Sequence, residues 1–175
     1  MVDKLVSSFN GSTADLVTPE PGYIVLKYIQ DQWDDNFDYS GTGTKPMLPK
    51  AEVIFFSWWK GAGKMSIDAS NIYTSVQPVE IGNGLVESYT TVRIDLFARQ
   101  IKTAAQPYNY PVWLYTAARF IRQLIKVNPQ ALTGSGIHEM TIERYADIPE
   151  QDPRSTVFHH QISVALRYMH NVVAA

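Results

Sequence analysis

The stretch EIGNGLVESYTTVRIDLFAR, Glu80–Arg99, decides the fold because it joins a tight turn to a long strand. Gly82-Asn83-Gly84 has the composition that two-residue β-hairpin loops favour, since these loops need residues that tolerate positive φ. After the turn, the residues Val92, Ile94, Leu96 and Ala98 alternate with Arg93, Asp95, Phe97 and Arg99. This period of two predicts a strand with one buried face.

The length of this strand is unusual for the size of the chain. A continuous strand over residues 86–99 is about 47 Å long at roughly 3.4 Å per residue. A compact chain of this size has a diameter of about 40 Å. We therefore expect the hairpin either to bend sharply or to project beyond its own subunit, and a projecting apolar hairpin needs a partner surface. This stretch gives the first indication of assembly.

The composition describes a folded protein with a surplus of aromatic residues. The chain has 175 residues, which favours one domain, and 45% of them are hydrophobic. Ten Tyr, seven Phe and four Trp supply side chains that are favoured at protein–protein interfaces. The net charge of −2 gives no electrostatic argument for nucleic-acid binding.

The absence of cysteine excludes disulfides, thiolate nucleophiles and Cys-ligated zinc. The N-terminus has no apolar core of signal-peptide length, and no apolar run approaches the length of about 18 residues that a membrane-spanning helix needs. We expect a soluble protein that is made in the cytoplasm and does not contact a membrane.

The regions outside the hairpin predict two helices and three further strands. Residues 1–18 are interpreted as a loosely held N-terminal arm, and residues 19–175 as one domain. TPEPGYIVLKYIQDQW predicts a first helix with an apolar stripe of Tyr23, Leu26, Ile29 (or Gln30) and Trp33. AEVIFFSWWK is typical of a strand.

The second half of the chain begins with the clearest helical pattern, YPVWLYTAARFIRQLIKV, which Asn128-Pro129 ends. Its predicted apolar stripe consists of Trp113, Ala117, Phe120, Leu124 and Val127. GIHEMTIERYADI and STVFHHQISVALRYMHN predict two closing strands. In the last strand the shared face consists of Phe158, His160, Ile162, Val164, Leu166 and Tyr168.

The order of elements is therefore α-β-β-β-α-β-β. Such an order favours an α+β fold in which a mostly antiparallel β-sheet, including the long β-hairpin, packs two helices on one face.

The stretch WWKGAGKMS resembles the end of a phosphate-binding loop but lacks its essential residues. Trp58 stands where the loop needs its first Gly, and Met65 stands where it needs the Ser or Thr that holds Mg²⁺. A glycine-rich turn after a strand is the better interpretation.

The ionisable residues give no active site. His159 and His160 are adjacent on a strand, so they face opposite sides and cannot chelate one metal together. The acidic run Asp31, Asp34, Asp35 and Asp38 lacks the ligand order of a calcium loop. No nucleophile-elbow motif appears. We predict no catalytic residue, no cofactor and no metal site.

The element order, the hairpin around EIGNGLVESYTTVRIDLFARQ, the helix YPVWLYTAARFIRQLIKV and the closing strand VFHHQISVALRY together resemble the tail terminators of tailed bacteriophages. These proteins are also called tail-completion or head–tail joining proteins. The likeness is architectural and covers roughly residues 20–171. The N-terminal arm and the segment 34–50 depart from the smaller members of the family.

The resemblance implies a virion protein that forms a homohexameric ring after synthesis in the host cytoplasm. Such a ring caps the tail tube, stops its polymerisation and joins it to a head-completion or adaptor protein of the neck. DNA would pass through the pore without sequence-specific binding, which a slightly acidic protein suits. The expected subunit-interface residues are Trp58, Trp59, Tyr89, Phe97, Arg93 and Arg99.

Two alternatives remain open at this point. One is another head–tail connector or a tail-tube subunit, which would also assemble through strands into rings. The other is a domain that binds or hydrolyses a small ligand, with a pocket between helices and sheet lined by Trp113, Tyr115 and His160.

Overall fold

The computed structural model describes residues 21–34, 37, 53–55, 65–72, 79–82, 85–99, 110–148 and 157–171. The predicted arm 1–18 lies outside them, as do Trp58, Trp59 and the turn residues Asn83 and Gly84. The helices are α1, Pro21–Asp31, and α2, Tyr110–Val127. The strands are β1, Val53–Phe55; β2, Met65–Ile72; β3, Val79–Gly82; β4, Leu85–Arg99; β5, Ile137–Ile148; and β6, Val157–Asn171.

The six strands form one sheet in the order β1-β2-β4-β6-β5, with β3 paired to the first three residues of β4. Its four central strands, β2, β4, β6 and β5, are antiparallel to their neighbours, whereas β1 pairs with β2 in parallel. Both helices pack on the same face of this sheet and enter one hydrophobic core. The α+β class and the mostly antiparallel sheet predicted from the sequence are confirmed.

Strand β4 is as long as predicted, but it does not form a projecting two-stranded ribbon. It pairs with β6 over all fifteen residues, from Leu85↔Asn171 to Arg99↔Val157, without a register shift. On its other edge, β2 and β3 occupy successive parts of the strand. Val86 and Ser88, near the turn, are buried within the subunit. Assembly therefore has to be argued from features other than the length of the hairpin.

Strand β2 is an element that the sequence pattern did not predict. Met65, Ile67 and Ala69 face the core, and the residues between them face the opposite side of the sheet. The segment after Lys64 is thus a strand, whereas a phosphate-binding loop would continue into a helix.

Helix α1 buries Val25, Leu26, Ile29 and Gln30, and Trp33 follows just after its end. The predicted stripe is therefore largely confirmed, although Tyr23 is only partly buried and Val25 takes part instead. The Trp33 ring meets Phe55 of β1 and Phe120 of α2 edge to face, with centroid distances of 5.2 and 5.4 Å. These contacts connect the two helices to each other and to the sheet.

Helix α2 ends at Val127, as Asn128-Pro129 predicted, but its buried stripe differs from the prediction. The residues that face the sheet are Leu114, Ala117, Ala118, Ile121 and Ile125. Phe120 turns toward α1, and Val127 is 75% exposed. The side chain of Trp113 lies outside the described part of the chain. Ala117 and Phe120 of the predicted stripe are buried, as expected. The prediction omitted Ala118 and Ile121, which are also buried.

This orientation of α2 predicts opposite outcomes for two alanine substitutions. Ile121→Ala should lower the free energy of unfolding by about 3 kcal/mol, because it opens a cavity in the core. Val127→Ala, the matched control in the last turn of the helix, should change it by less than about 0.5 kcal/mol. Urea unfolding of both variants measures the difference. Equal losses would contradict the orientation of the helix.

Candidate functional site

The face of the sheet opposite the two helices is polar. Because side chains alternate along a strand, the odd-numbered residues of β4 all point to this side. On β4 it presents Glu87, Tyr89, Thr91, Arg93, Asp95 and Phe97. We call this side of the sheet the polar face. It has a buried end, around Asp95, and an exposed end, around Tyr89.

Asp95 is the centre of a hydrogen-bonded cluster at the buried end. Its Oδ2 accepts a hydrogen bond from Arg93 Nε at 2.6 Å. Its Oδ1 accepts from His159 Nε2 at 2.7 Å and from Gln161 Nε2 at 3.1 Å. The β4–β6 register sets these contacts, because it places Gln161 directly opposite Asp95. Asp95 is only 4% exposed, yet both carboxylate oxygens have partners.

The pKa of Asp95 lies below its ordinary value of 3.8. Burial alone would raise the pKa, because it removes water from the charged form. The hydrogen bonds from His159 and Gln161, and the charge and hydrogen bond of Arg93, together outweigh burial. Asp95 is therefore a stable carboxylate.

Asp68 lies directly opposite Asp95 on β2, and its pKa shifts the other way. Burial raises the pKa of Asp68, and the negative charge of Asp95 raises it further. A hydrogen bond from the Ala69 backbone and the charge of Arg93 oppose this shift only in part. Two neighbouring carboxylates with opposite shifts are found in acid–base active sites, so the cluster needs to be tested for such chemistry.

The cluster lacks the arrangement of a hydrolytic triad. His159 stacks on Phe97, with ring centroids 4.3 Å apart and planes inclined by 21°. Ser66 lies on the far side of Phe97 in the same cross-strand row. Two strand spacings, about 10 Å, therefore separate Ser66 from His159, which is too far for the imidazole to take the hydroxyl proton. Hydrogen bonding and burial instead make the cluster a structural link between β4 and β6.

The exposed end of the polar face forms a shallow depression of about 490 Å³. Tyr89, Glu139, Glu143 and Arg167 are among its lining residues. Tyr89 is 41% exposed and donates a weak hydrogen bond to Glu87 at 3.3 Å. Glu87 in turn pairs with Arg167 Nε at 3.1 Å. This end of the face combines exposed aromatic and charged groups, which are common at protein interfaces.

The structure places three of the six residues predicted to form a subunit interface on the same face of the sheet. Tyr89, Arg93 and Phe97 lie on the polar face, but only Tyr89 is in the exposed depression. Arg93 is half exposed and binds Asp95, and Phe97 is partly buried against His159. Arg99 ends β4, and its side chain lies outside the described residues, as do Trp58 and Trp59.

The two adjacent histidines face opposite sides of the sheet, as predicted. His159 joins the Asp95 cluster, and His160 is 1% exposed on the helix side. The ring of Tyr145 lies 4.3 Å from that of His160, and the ring of Tyr115 lies 6.1 Å away. His160 is therefore a core residue, and the pocket that the ligand-binding alternative requires would have to displace these rings.

Other ionisable residues do not form a site in the described parts of the chain. Asp31 ends α1 and pairs with Lys27 at 2.8 Å, whereas Asp35 and Asp38 lie outside the described residues. Among the residues with known positions, no three His, Asp or Glu side chains gather where a metal ion could bind.

The Asp95 cluster could not have been found from sequence spacing. His159 and Gln161 are 64 and 66 residues from Asp95 along the chain, and they meet it only through the register of β4 and β6. The alternation of polar residues in β4 was the only available signal, and it indicated a polar face without indicating its partners.

Comparisons with known proteins add no relative to this description. No protein-family model matches the chain, and no curated protein matches it significantly. In the described segments, neither helix has the combination of length and hydrophobicity needed to cross a membrane.

The Asp95 cluster predicts opposite effects of two isosteric substitutions at neutral pH. Asp95→Asn should lower the free energy of unfolding by about 2 kcal/mol, since an amide cannot replace the buried carboxylate that accepts hydrogen bonds from three side chains. Asp68→Asn, the matched control on β2, should leave the protein at least as stable as wild type because it removes carboxylate repulsion. Thermal or urea unfolding at pH 7 measures both. A stable Asp95→Asn variant would show that the cluster is not structural.

The two variants should also differ in their response to acid. The folded pKa of Asp95 is lowered, so its contribution is present above 3.8 and is lost as the pH falls below that value. The folded pKa of Asp68 is raised, so its contribution is full below 3.8 and is lost as the pH rises through the raised pKa. The deficit of Asp95→Asn should therefore shrink below pH 3.8. Unfolding curves between pH 2.5 and 7 check this, and a deficit that does not change with pH would contradict it.

Proposed function

We propose that the chain is a structural ring subunit of a tailed-phage virion, acting as the tail terminator. In this role a homohexameric ring caps the finished tail tube and stops its polymerisation. The ring then joins the tail to a head-completion or adaptor protein of the neck. The architectural resemblance to tail terminators gives the specific role, and the polar face supports an assembly function.

The exposed end of the polar face is the observation on which the proposal depends. All apolar packing of the described core lies on the helix side, while the opposite side presents Tyr89 with an organised set of charges. Four strands about 4.8 Å apart and about ten residues long give a planar area on the order of 700 Å². One side of a standard protein–protein interface buries about 800 Å². The end around Asp95 is buried, so the exposed end supplies a part of this area for contact with another subunit.

The net charge of the chain and the contacts of its ionisable residues are compatible with a ring through which DNA passes. A net charge of −2 favours passage of DNA through a pore over retention of its phosphates. The Asp95 carboxylate is buried, and both of its oxygens accept hydrogen bonds from neighbouring side chains. A structural function requires no reaction centre, and the proposal assigns the chain no cofactor.

Assembly and tail length test this proposal. Size-exclusion chromatography with light scattering should show a particle of about six chains, and negative-stain images should show rings. Phages without the protein should produce overlong tails. A monomer at high concentration that also fails to associate with tail tubes would contradict the proposal.

The same deletion separates the related structural roles. Loss of a tube subunit would abolish tails, and loss of a head-closure protein would leave normal tails unjoined to heads. Saturable binding of a nucleotide, metal or metabolite in a thermal-shift screen, abolished by His160→Ala, would favour the ligand-binding alternative. Each result assigns a different function to the chain.

A further inference from the structure

We infer that neighbouring copies dock head to tail, with a basic flank of α2 on one copy seated in the acidic depression of the next. The basic flank consists of Arg119, Arg122 and Lys126. The acidic depression is the exposed end of the polar face, with Glu139 and Glu143. This inference rests on the proposed ring and specifies which surfaces close it.

The basic flank lies on the side of α2 that is turned away from α1. Phe120 marks the α1 side, because it contacts Trp33 and also Phe37. Arg122 marks the other side, because its guanidinium lies 5.0 Å from the centre of the Tyr145 ring on β5. Arg119 and Lys126 are exposed one turn before and one turn after Arg122. The flank therefore presents positive charge at the β5 side of the subunit.

The acidic depression has a net negative charge. Arg167 lines it but is paired with Glu87, so these two charges largely offset each other. Glu139 and Glu143 are exposed and leave two carboxylates at its rim. Glu143 accepts only one weak hydrogen bond, from Thr91 Oγ1 at 3.3 Å, among its resolved contacts. The depression is complementary in charge to the basic flank.

The basic flank and the acidic depression lie at similar positions along the direction of the strands. Helix α2 begins near His160, as the Tyr115 contact shows, and the chain after its end reaches β5 where Pro129 O accepts from Met140 N at 2.9 Å. The C-terminal half of α2 is therefore beside residues 140–145 of β5. Glu143 belongs to the same stretch, and Glu139 precedes it by one residue. Docking then requires mainly a rotation between copies and little translation, so the assembly closes as a ring and does not grow as a helix.

The angle between the two surfaces sets the size of the ring. At 3.6 residues per turn, each residue of α2 advances by about 100° around the helix axis. Viewed along the axis of α2, the centre of the basic flank therefore lies about 110° around the helix from the residues that face the sheet. The acidic depression lies on the side of the sheet opposite the helices. Its outward direction is therefore the direction from α2 toward the sheet. In a ring of n copies the outward normals of the two interfaces enclose 180° − 360°/n, about 108° for five copies and 120° for six. The angle of about 110° lies between these values and is within about 10° of the value for the proposed six copies.

Charge reversal tests this interface in the full-length protein. A flank variant combines Arg119→Glu and Lys126→Glu, and a depression variant combines Glu139→Lys and Glu143→Lys. Each alone should run as the single chain of 19.8 kDa, because like charges then face each other. Arg122 is left unchanged because it packs on Tyr145.

Mixing the two variants is the sharpest measurement. Flank and depression variants together should recover a ring in which they alternate, and a chain with all four substitutions should recover a ring by itself. Light scattering gives the mass, and circular dichroism checks that each variant is folded. The matched control exchanges the exposed pair on α1, Lys27→Glu with Asp31→Lys, and should assemble as wild type does.

The outcomes separate this inference from the proposed function. A wild-type monomer overturns the ring itself. A wild-type ring that survives both charge reversals, or folded variants that fail to recover assembly when mixed, overturns the assigned interface and leaves the ring in place. If each variant alone fails to assemble and the mixture of the two recovers the ring, the result supports the head-to-tail contact.

Discussion

The pairing of β4 with β6 over fifteen residues is the constraint on which the rest of the structure depends. Because the period of a strand is two, this single register decides which side of the sheet every residue of both strands faces. It places Val92, Ile94 and Leu96 opposite Val164, Ile162 and His160, beneath the helices. A slip of one residue would turn these side chains to the polar face. Core, helix packing and polar face all follow from the same pairing.

The Asp95 cluster opposes such a slip from the other side of the sheet. Only the observed register places Asp95 beside Gln161 and within reach of His159. A slip of one residue would turn the carboxylate to the helix side, away from both donors, while it would still pay the cost of leaving water. Burial of apolar groups on one side and satisfaction of a charge on the other therefore select the same alignment of β4 and β6.

The sequence predicted those features that depend on local pattern. The alternation over residues 92–99 gave the buried face of β4, and Asn128-Pro129 gave the end of α2. Strand β2 was missed because its outward residues are polar and its inward ones include a small Ala69. The stripe of α2 was misplaced because two neighbours, the sheet and α1, compete for its apolar residues. Which partner each residue meets is decided by tertiary packing and not by helical period.

The edges and faces of the sheet differ in how they can support assembly. Strand β5 lies at one edge and has register shifts near residues 137–139 and 142–144. Such bulges disfavour the addition of another strand. Strand β1, the edge in the opposite direction, has only three residues. The polar face, by contrast, is broad, exposed at one end and held in register by a buried charge cluster. The proposed contact between copies is therefore better supported through this face than through a projecting ribbon, because a preorganised surface loses little conformational entropy on docking.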